Sequence, residues 1–157
     1  MSSEMSLAAG RKIIKSYTEG LSHSSGVYRM LDANDNTLYV GKAKSLKNRV
    51  LNYVNTSALN TRLQKMISLT AKMEIITTRC EAEALLLEAN MIKKYSPRYN
   101  ILLKDDKSFP YIFFSGDHDF PRLSKHRGAK VGKGKYFGPF VSGGAVDETI
   151  TLLQKIF

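Results

Sequence analysis

At 157 residues with 43% hydrophobic side chains, the chain is long enough to bury a core and too apolar for wholesale disorder. Its 24 Lys and Arg against 14 Asp and Glu leave a formal charge of +10, which favours a polyanionic partner, nucleic acid first and an anionic membrane surface second. A lone cysteine, Cys80, excludes an internal disulfide, no Cys/His spacing suits zinc, and no apolar run approaches a membrane span, so reducing cytosol is the expected home.

Taken in order, the chain opens on a polar stretch, then an amphipathic helix over residues 8–21 carrying Ile13, Ile14 and Tyr17. Gly20 and the serine-rich run around His23 stop it. Residues 26–31 and 37–40 are β-branched, aromatic and aliphatic. The polar cluster 32–36 between them predicts a hairpin, with Gly41 closing its second strand. Such a hairpin brings Tyr28 and Tyr39 close together. Lys42, Lys44, Lys47 and Arg49 follow with no acid among them, a cluster suited to an anion. Leu46, Val50, Tyr53 and Val54 recur at helical spacing, so residues 45–54 form a helix whose apolar stripe Arg49 flanks. From that position a guanidinium either snorkels toward a cleft or marks an ordinary helix border.

A further helix follows the break at 55–57, with Leu63, Met66 and Ile67 inward and Arg62, Lys65 and Lys72 outward. Residues 73–79 alternate and are β-branched, which predicts a third strand. Residues 81–95 form the strongest helix. Glu81 and Glu83 begin it, Lys93 and Lys94 end it in accord with the helix dipole, and Pro97 stops it. Glu88 lies within its apolar stripe of Ala84, Leu85, Ile92 and Tyr95. A carboxylate there is costly unless a lysine, an arginine or a bound divalent cation meets it. Asn100 falls just past the helix, where turn or capping use is the ordinary role. The acids of Lys104-Asp105-Asp106-Lys107 read as a solvated turn. Residues 111–114 and 120–123 predict a small strand pair. The acid-free, glycine-spaced run 125–135 predicts a mobile loop whose Lys130 and Lys133 can track a phosphate backbone. Residues 147–157 predict a last helix.

Cutting a phosphodiester requires an activated water, neutralisation of phosphoryl charge and help for the departing alkoxide. A divalent cation on one carboxylate supplies the last two, and an arginine fork suits phosphate oxygens. His23, His118 and His126 fall in apparent loops away from these residues, which leaves tyrosine as a base. A phenol serves only if nearby cations pull its pKa down, and Lys42 follows Tyr39 closely enough to do so. One embedded carboxylate argues against a two-metal arrangement. These parts fit a one-metal nuclease without compelling one. The alternative is a non-catalytic, basic nucleic-acid-binding module in which Glu88 is only an ion pair.

The segments Gly26-Val27-Tyr28 and Tyr39-Val40-Gly41 resemble the paired signature of the GIY-YIG nucleases, with valine for isoleucine in each half. LYVGKAKSLKNRV, EAEALLLEANMIKKYSPRYN and YFGPF, in that order, extend the likeness over residues 10–157 to the N-terminal part of the UvrC family of excision-repair endonuclease subunits. The resemblance implies an α+β fold, a small antiparallel three-stranded sheet flanked by helices, with a C-terminal β/α extension. It implies a tail and helix over 1–22, the nuclease domain over 23–103, and an extension over 104–157 that begins a longer protein. It also implies nicking of damaged double-stranded DNA on the 3′ side of a lesion, one Mg²⁺ or Mn²⁺, the loading partner UvrB and no membrane. By the same resemblance Glu88 is the metal ligand, Arg49 contacts the scissile phosphate and Tyr39 activates water. Tyr28 and Lys42 support it and Asn100 completes the site; the acid-free cluster itself makes Lys44 and Lys47 expected DNA contacts.

Overall fold

The computed structural model describes residues 6–55, 59–100, 110–116, 122–128, 130, 132–140 and 143–156. The predicted turn at 104–107 and His118 lie outside them. Contacts divide the chain into two compact units, Met1–Asn100 and Ile101–Phe157.

In the first unit α1 (Leu7–Thr18) precedes a hairpin of β1 (Gly26–Leu31) and β2 (Thr37–Ala43). Then come α2 (Leu46–Asn55), α3 (Thr61–Leu69), β3 (Lys72–Thr77) and α4 (Glu81–Tyr95). The sheet is antiparallel in the order β2-β1-β3, which leaves β2 on an edge. Asp32 folds the hairpin turn by accepting, through Oδ1, the N–H groups of Asn34 and Asn36 at 2.8 and 2.9 Å.

The sheet separates two apolar layers because side chains alternate between its faces. On one side Tyr28 and Met30 pack with Ile14, Leu46, Val50, Tyr53, Met66 and Ile67 from the three N-terminal helices. On the other, Val27 and Val40 meet Ala84 and Met91 of α4. The helix predicted to precede the nuclease domain is built into that unit: Ile14 of α1 is fully buried and α1 packs against α2 and α3.

One strand boundary differs from expectation. Gly41 does not close β2; it pairs with Tyr28 inside the strand, which continues through Ala43. The strand persists because a bare Cα is what fits there. A Cβ on Gly41 would come within 2.5 Å of Tyr28 Cζ and Oη and 2.8 Å of Tyr39 Cε1.

The second unit holds β4 (Tyr111–Ser115), β5 (Arg122–His126), β6 (Gly134–Phe137) and α5 (Gly143–Ile156), with strand order β5-β4-β6. The run expected as one mobile loop is partly sheet. Lys125 and His126 end β5, while Gly134 and Lys135 begin β6. Within the connection Lys130 lies over the Tyr111 ring at 4.4 Å, and the Gly132 N–H donates to Tyr136 Oη at 3.1 Å. Aromatic packing, which glycine content does not reveal, folds the loop back onto the sheet. α5 begins at Gly143 rather than 147, with Val146 and Ile150 buried and Asp147 paired to Lys125 at 3.0 Å.

Candidate active site

A cleft of about 530 Å³ lies where the edge of β2 meets α2 and α4, lined by Tyr39, Lys42, Arg49 and Glu88 together with Ala43, Lys44, Ser45, Asn48 and Asn52. Strand alternation explains how two layers contribute to one cavity. Tyr28 and Tyr39 belong to the α2 side of the sheet and α4 covers the other side, so the cleft wraps around the strand edge.

Glu88 reaches that edge from α4. Its Oε2 accepts the Lys42 backbone N–H at 2.7 Å. Burial raises its carboxyl pKa above the ordinary 4.5, opposed by the charge of Lys42, the Lys42 N–H and the charge of Arg49. Among the described residues no lysine or arginine forms an ion pair with it. The structural ion pair that the sequence left open for Glu88 is therefore not formed, and its carboxylate borders the cleft.

Tyr28 stands beneath this floor. It is fully buried, its Oη lies 2.7 Å from Tyr53 Oη, and Arg49 Nε donates to it at 3.4 Å. Burial pushes the Tyr28 phenol well above its usual range, with Tyr53 and Tyr39 adding to the effect, so it stays protonated. Burial likewise pushes Tyr53 up to about 12. The Tyr28 and Tyr39 rings lie 6.0 Å apart and Tyr28 and Tyr53 meet edge-on at 5.9 Å. Only Tyr39 of the three lines the cleft. Hydrogen bonding to Tyr28 raises the already high pKa of Arg49, which holds it cationic at the rim.

Asn100 is not a lining residue. Its side-chain amide pairs with the peptide of Val40, accepting the N–H and donating to the carbonyl, both at 2.9 Å. Tyr99 N–H donates to Leu38 O at 2.9 Å. Leu38, Val40 and Lys42 thus present their outward backbone groups, at period two, to Tyr99, Asn100 and Glu88 in turn. Side chains and a turn take the place of a fourth strand along this edge.

Of the expected DNA contacts, Lys44 lines the cleft and pairs with Glu81 at 3.7 Å, whereas Lys47 on α2 is outside the lining. Lys130 and Lys133 belong to the second unit. Tyr53, read as core packing, proves to be the anchor of the Tyr28 phenol. The signal was its place one helical turn after Arg49. Ser45, Asn48 and Asn52 were missed although their three- and four-residue spacing puts them on one helix face. His23, expected in a solvated loop, meets Ser45 Oγ at 3.0 Å.

A divalent cation fits this donor chemistry. Among the described residues no three His, Cys, Asp or Glu cluster together, so the protein offers a single carboxylate with open space before it. That suits a hard cation which retains several waters, as Mg²⁺ does, and not a structural zinc.

A three-stranded antiparallel sheet with Tyr28 buried in its hairpin, and a cleft at its edge that Tyr39, Arg49 and Glu88 line, is the arrangement of a GIY-YIG endonuclease domain. The description "UvrC-like GIY-YIG domain" matches residues 24–101, and "UvrC/Cho excinuclease, middle domain" matches residues 109–157. The chain belongs to the UvrC family. It is 56% identical over 154 residues to the UvrABC system protein C of Novosphingobium aromaticivorans, covering 98% of this chain and 23% of that protein. It is 55% identical over 156 residues to that of Paramagnetospirillum magneticum, covering 99% of this chain and 25% of that one. It thus spans about a quarter of the length of these curated relatives. Crystal structures of the GIY-YIG N-terminal endonuclease domain of UvrC from Thermotoga maritima align with it. The magnesium-bound form gives a TM-score of 0.51 at 34% identity, over 56% of this chain and 96% of that one. A tyrosine-to-phenylalanine variant of the same domain, bound to the catalytic divalent cation, gives 0.52 at 32%, over 57% and 96%.

Proposed function

We propose that this chain nicks damaged double-stranded DNA by hydrolysing one phosphodiester on the 3′ side of the lesion, with Glu88 as the protein ligand of a single Mg²⁺ or Mn²⁺. The observation that carries this reading is a half-buried carboxylate that borders the same cleft as Tyr39 and Arg49 and has no cationic side chain paired to it. The cation, when bound, supplies Lewis-acid stabilisation of phosphoryl charge and of the departing alkoxide. Arg49, braced by Tyr28, presents its guanidinium to the scissile phosphate, where positive charge counts most as the transition state forms. Tyr39 Oη, acting as the phenolate after its own proton has gone to solvent, takes the proton of the attacking water, because Tyr28 is buried and engaged with Tyr53. Lys42 adds charge beside Glu88 from the α4 face of the strand, and Asn100 fixes the edge that carries Tyr39 and Lys42.

Lys44 and Lys47 contact phosphates flanking the cut, and Lys130 and Lys133 offer further phosphate contacts from the second unit. By analogy with the UvrABC system proteins C, UvrB is the partner that presents the strand. Among the described residues no helix is long and apolar enough to cross a membrane, and the reading places the chain in the cytoplasm.

The test is nicking of supercoiled plasmid and of a lesion-bearing duplex, with Mg²⁺, with Mn²⁺ or with chelator, in the presence and absence of UvrB. The parent is expected to nick only with divalent metal. Glu88→Gln keeps an acceptor for the Lys42 N–H, so fold and DNA binding persist while nicking falls by about three orders of magnitude or more. If the variant unfolds and the parent never cuts, the chain is a DNA-binding module whose glutamate is structural.

A further inference from the structure

Along the same edge of β2, away from the cleft, two arginines gather on one tyrosine. The Arg62 and Arg98 guanidinium carbons lie 5.2 and 5.5 Å from the centre of the Tyr99 ring. Arg62 Nη2 donates to the Arg98 carbonyl at 3.2 Å, which joins α3 to the turn after α4. Both arginines are exposed, and among the described residues neither is paired with a carboxylate. Tyr99 is itself fixed, because its N–H donates to Leu38 O at the strand edge.

Two like charges assembled on one ring repel each other, and among the described residues no carboxylate pairs with either to offset them. Stacking on a tyrosine face lowers that cost and, apart from the Arg62 Nη2 that the Arg98 carbonyl holds, leaves guanidinium donors for an anion. The position is equally specific. Leu38 and Lys42 are four residues apart on β2, so Tyr99 is fastened to the edge about 13 Å from the point where Glu88 is.

We infer that Arg62 and Arg98, gathered on Tyr99, form a second phosphate-binding station that grips the DNA backbone beside the strand being cut. The inference rests on the nuclease reading for the identity of the anion. Its role is to hold substrate, not to touch the reacting atoms. It therefore governs affinity and salt dependence and leaves the rate of cutting bound DNA alone.

The experiment is anisotropy of a labelled duplex bound by the whole chain in chelator, from about 50 to 200 mM salt, for the parent, R62Q/R98Q and R62K/R98K. Each lost phosphate contact lowers the slope of log affinity against log salt by about 0.9, so the glutamine pair is expected to lose between about one and two units of slope. The lysine pair keeps the slope. A glutamine pair with the parental slope overturns the proposal, as does a parent with no salt-sensitive DNA binding. A parent that binds with the full slope but never nicks overturns the nuclease reading and leaves the station standing.

Discussion

Glu88 Oε2 accepts the Lys42 N–H at 2.7 Å, so an acid on α4 is fastened to the backbone of a strand whose Tyr39 and Lys42 line the same cleft. Because burial raises this carboxyl above 4.5, the folded chain holds its proton more tightly than the unfolded chain does. The contribution of this group to stability is greatest below 4.5 and declines as pH rises from there through the folded value. On the proposed mechanism nicking needs the ionised form, which holds the metal. At low Mg²⁺ the rate should therefore climb with pH through a midpoint above 4.5, and added Mg²⁺ should move that midpoint down because metal favours the carboxylate. Initial nicking rates across the acid range at two Mg²⁺ concentrations check this, and an acid limb indifferent to Mg²⁺ would assign the titration to another group.

The two signature tyrosines should fail differently. Tyr28→Phe strands the buried hydroxyl of Tyr53, now 2.7 Å from its partner, and releases Arg49. The expected cost is about 1–3 kcal/mol in chemical denaturation. Tyr39→Phe leaves that pair intact and removes only the contact of the Tyr39 hydroxyl with Tyr53. It should change stability by less than about 1 kcal/mol while nicking falls by about 10²–10⁴-fold. Equal stability losses in the two variants would contradict the assignment of Tyr39 to the reaction and Tyr28 to support.

Gly41→Ala should damage both properties together. The added methyl meets the Tyr28 ring and hydroxyl at 2.5 Å and the Tyr39 ring at 2.8 Å, and Tyr28 is fully buried. Overpacking of this kind costs about 1–3 kcal/mol, and displacement of two phenols should suppress nicking beyond what the lost fold explains. Comparing activity per folded molecule, from circular dichroism and nicking on the same sample, separates the two effects.

The sequence made α4 legible to the residue because its end charges, its apolar stripe and Pro97 all agree on one answer. The hairpin was equally clear from residue types. Gly41 was misread because a glycine after a strand ordinarily ends it, and only the packing of two rings against its bare Cα shows why the strand continues. Tyr53 and Val50 look alike in a helical stripe; the hydroxyl's partner sits 25 residues earlier and no periodicity reports it. The loop before β6 was misjudged for a related reason, since glycine and lysine content describes a free chain, whereas Lys130 and Gly132 are held by Tyr111 and Tyr136. Local pattern revealed elements, and tertiary contact decided which polar groups have a task.

Asn100 offers the sharpest distinction between positioning and chemistry. Its amide both accepts from and donates to Val40, a pairing only a carboxamide can make at that edge. Asn100→Ala should cost about 1–3 kcal/mol by leaving the Val40 N–H and carbonyl without their partner. Asn100→Asp keeps the shape but sets a carboxylate oxygen against the Val40 carbonyl, so it should cost at least as much. Both should speed hydrogen exchange at the Val40 amide and leave the affinity of Glu88 for Mg²⁺, read by calorimetry, near the parental value. A residue acting on the reacting atoms would behave otherwise: the rate would drop with Val40 fully protected, and the edge of β2 would need some other explanation for its order.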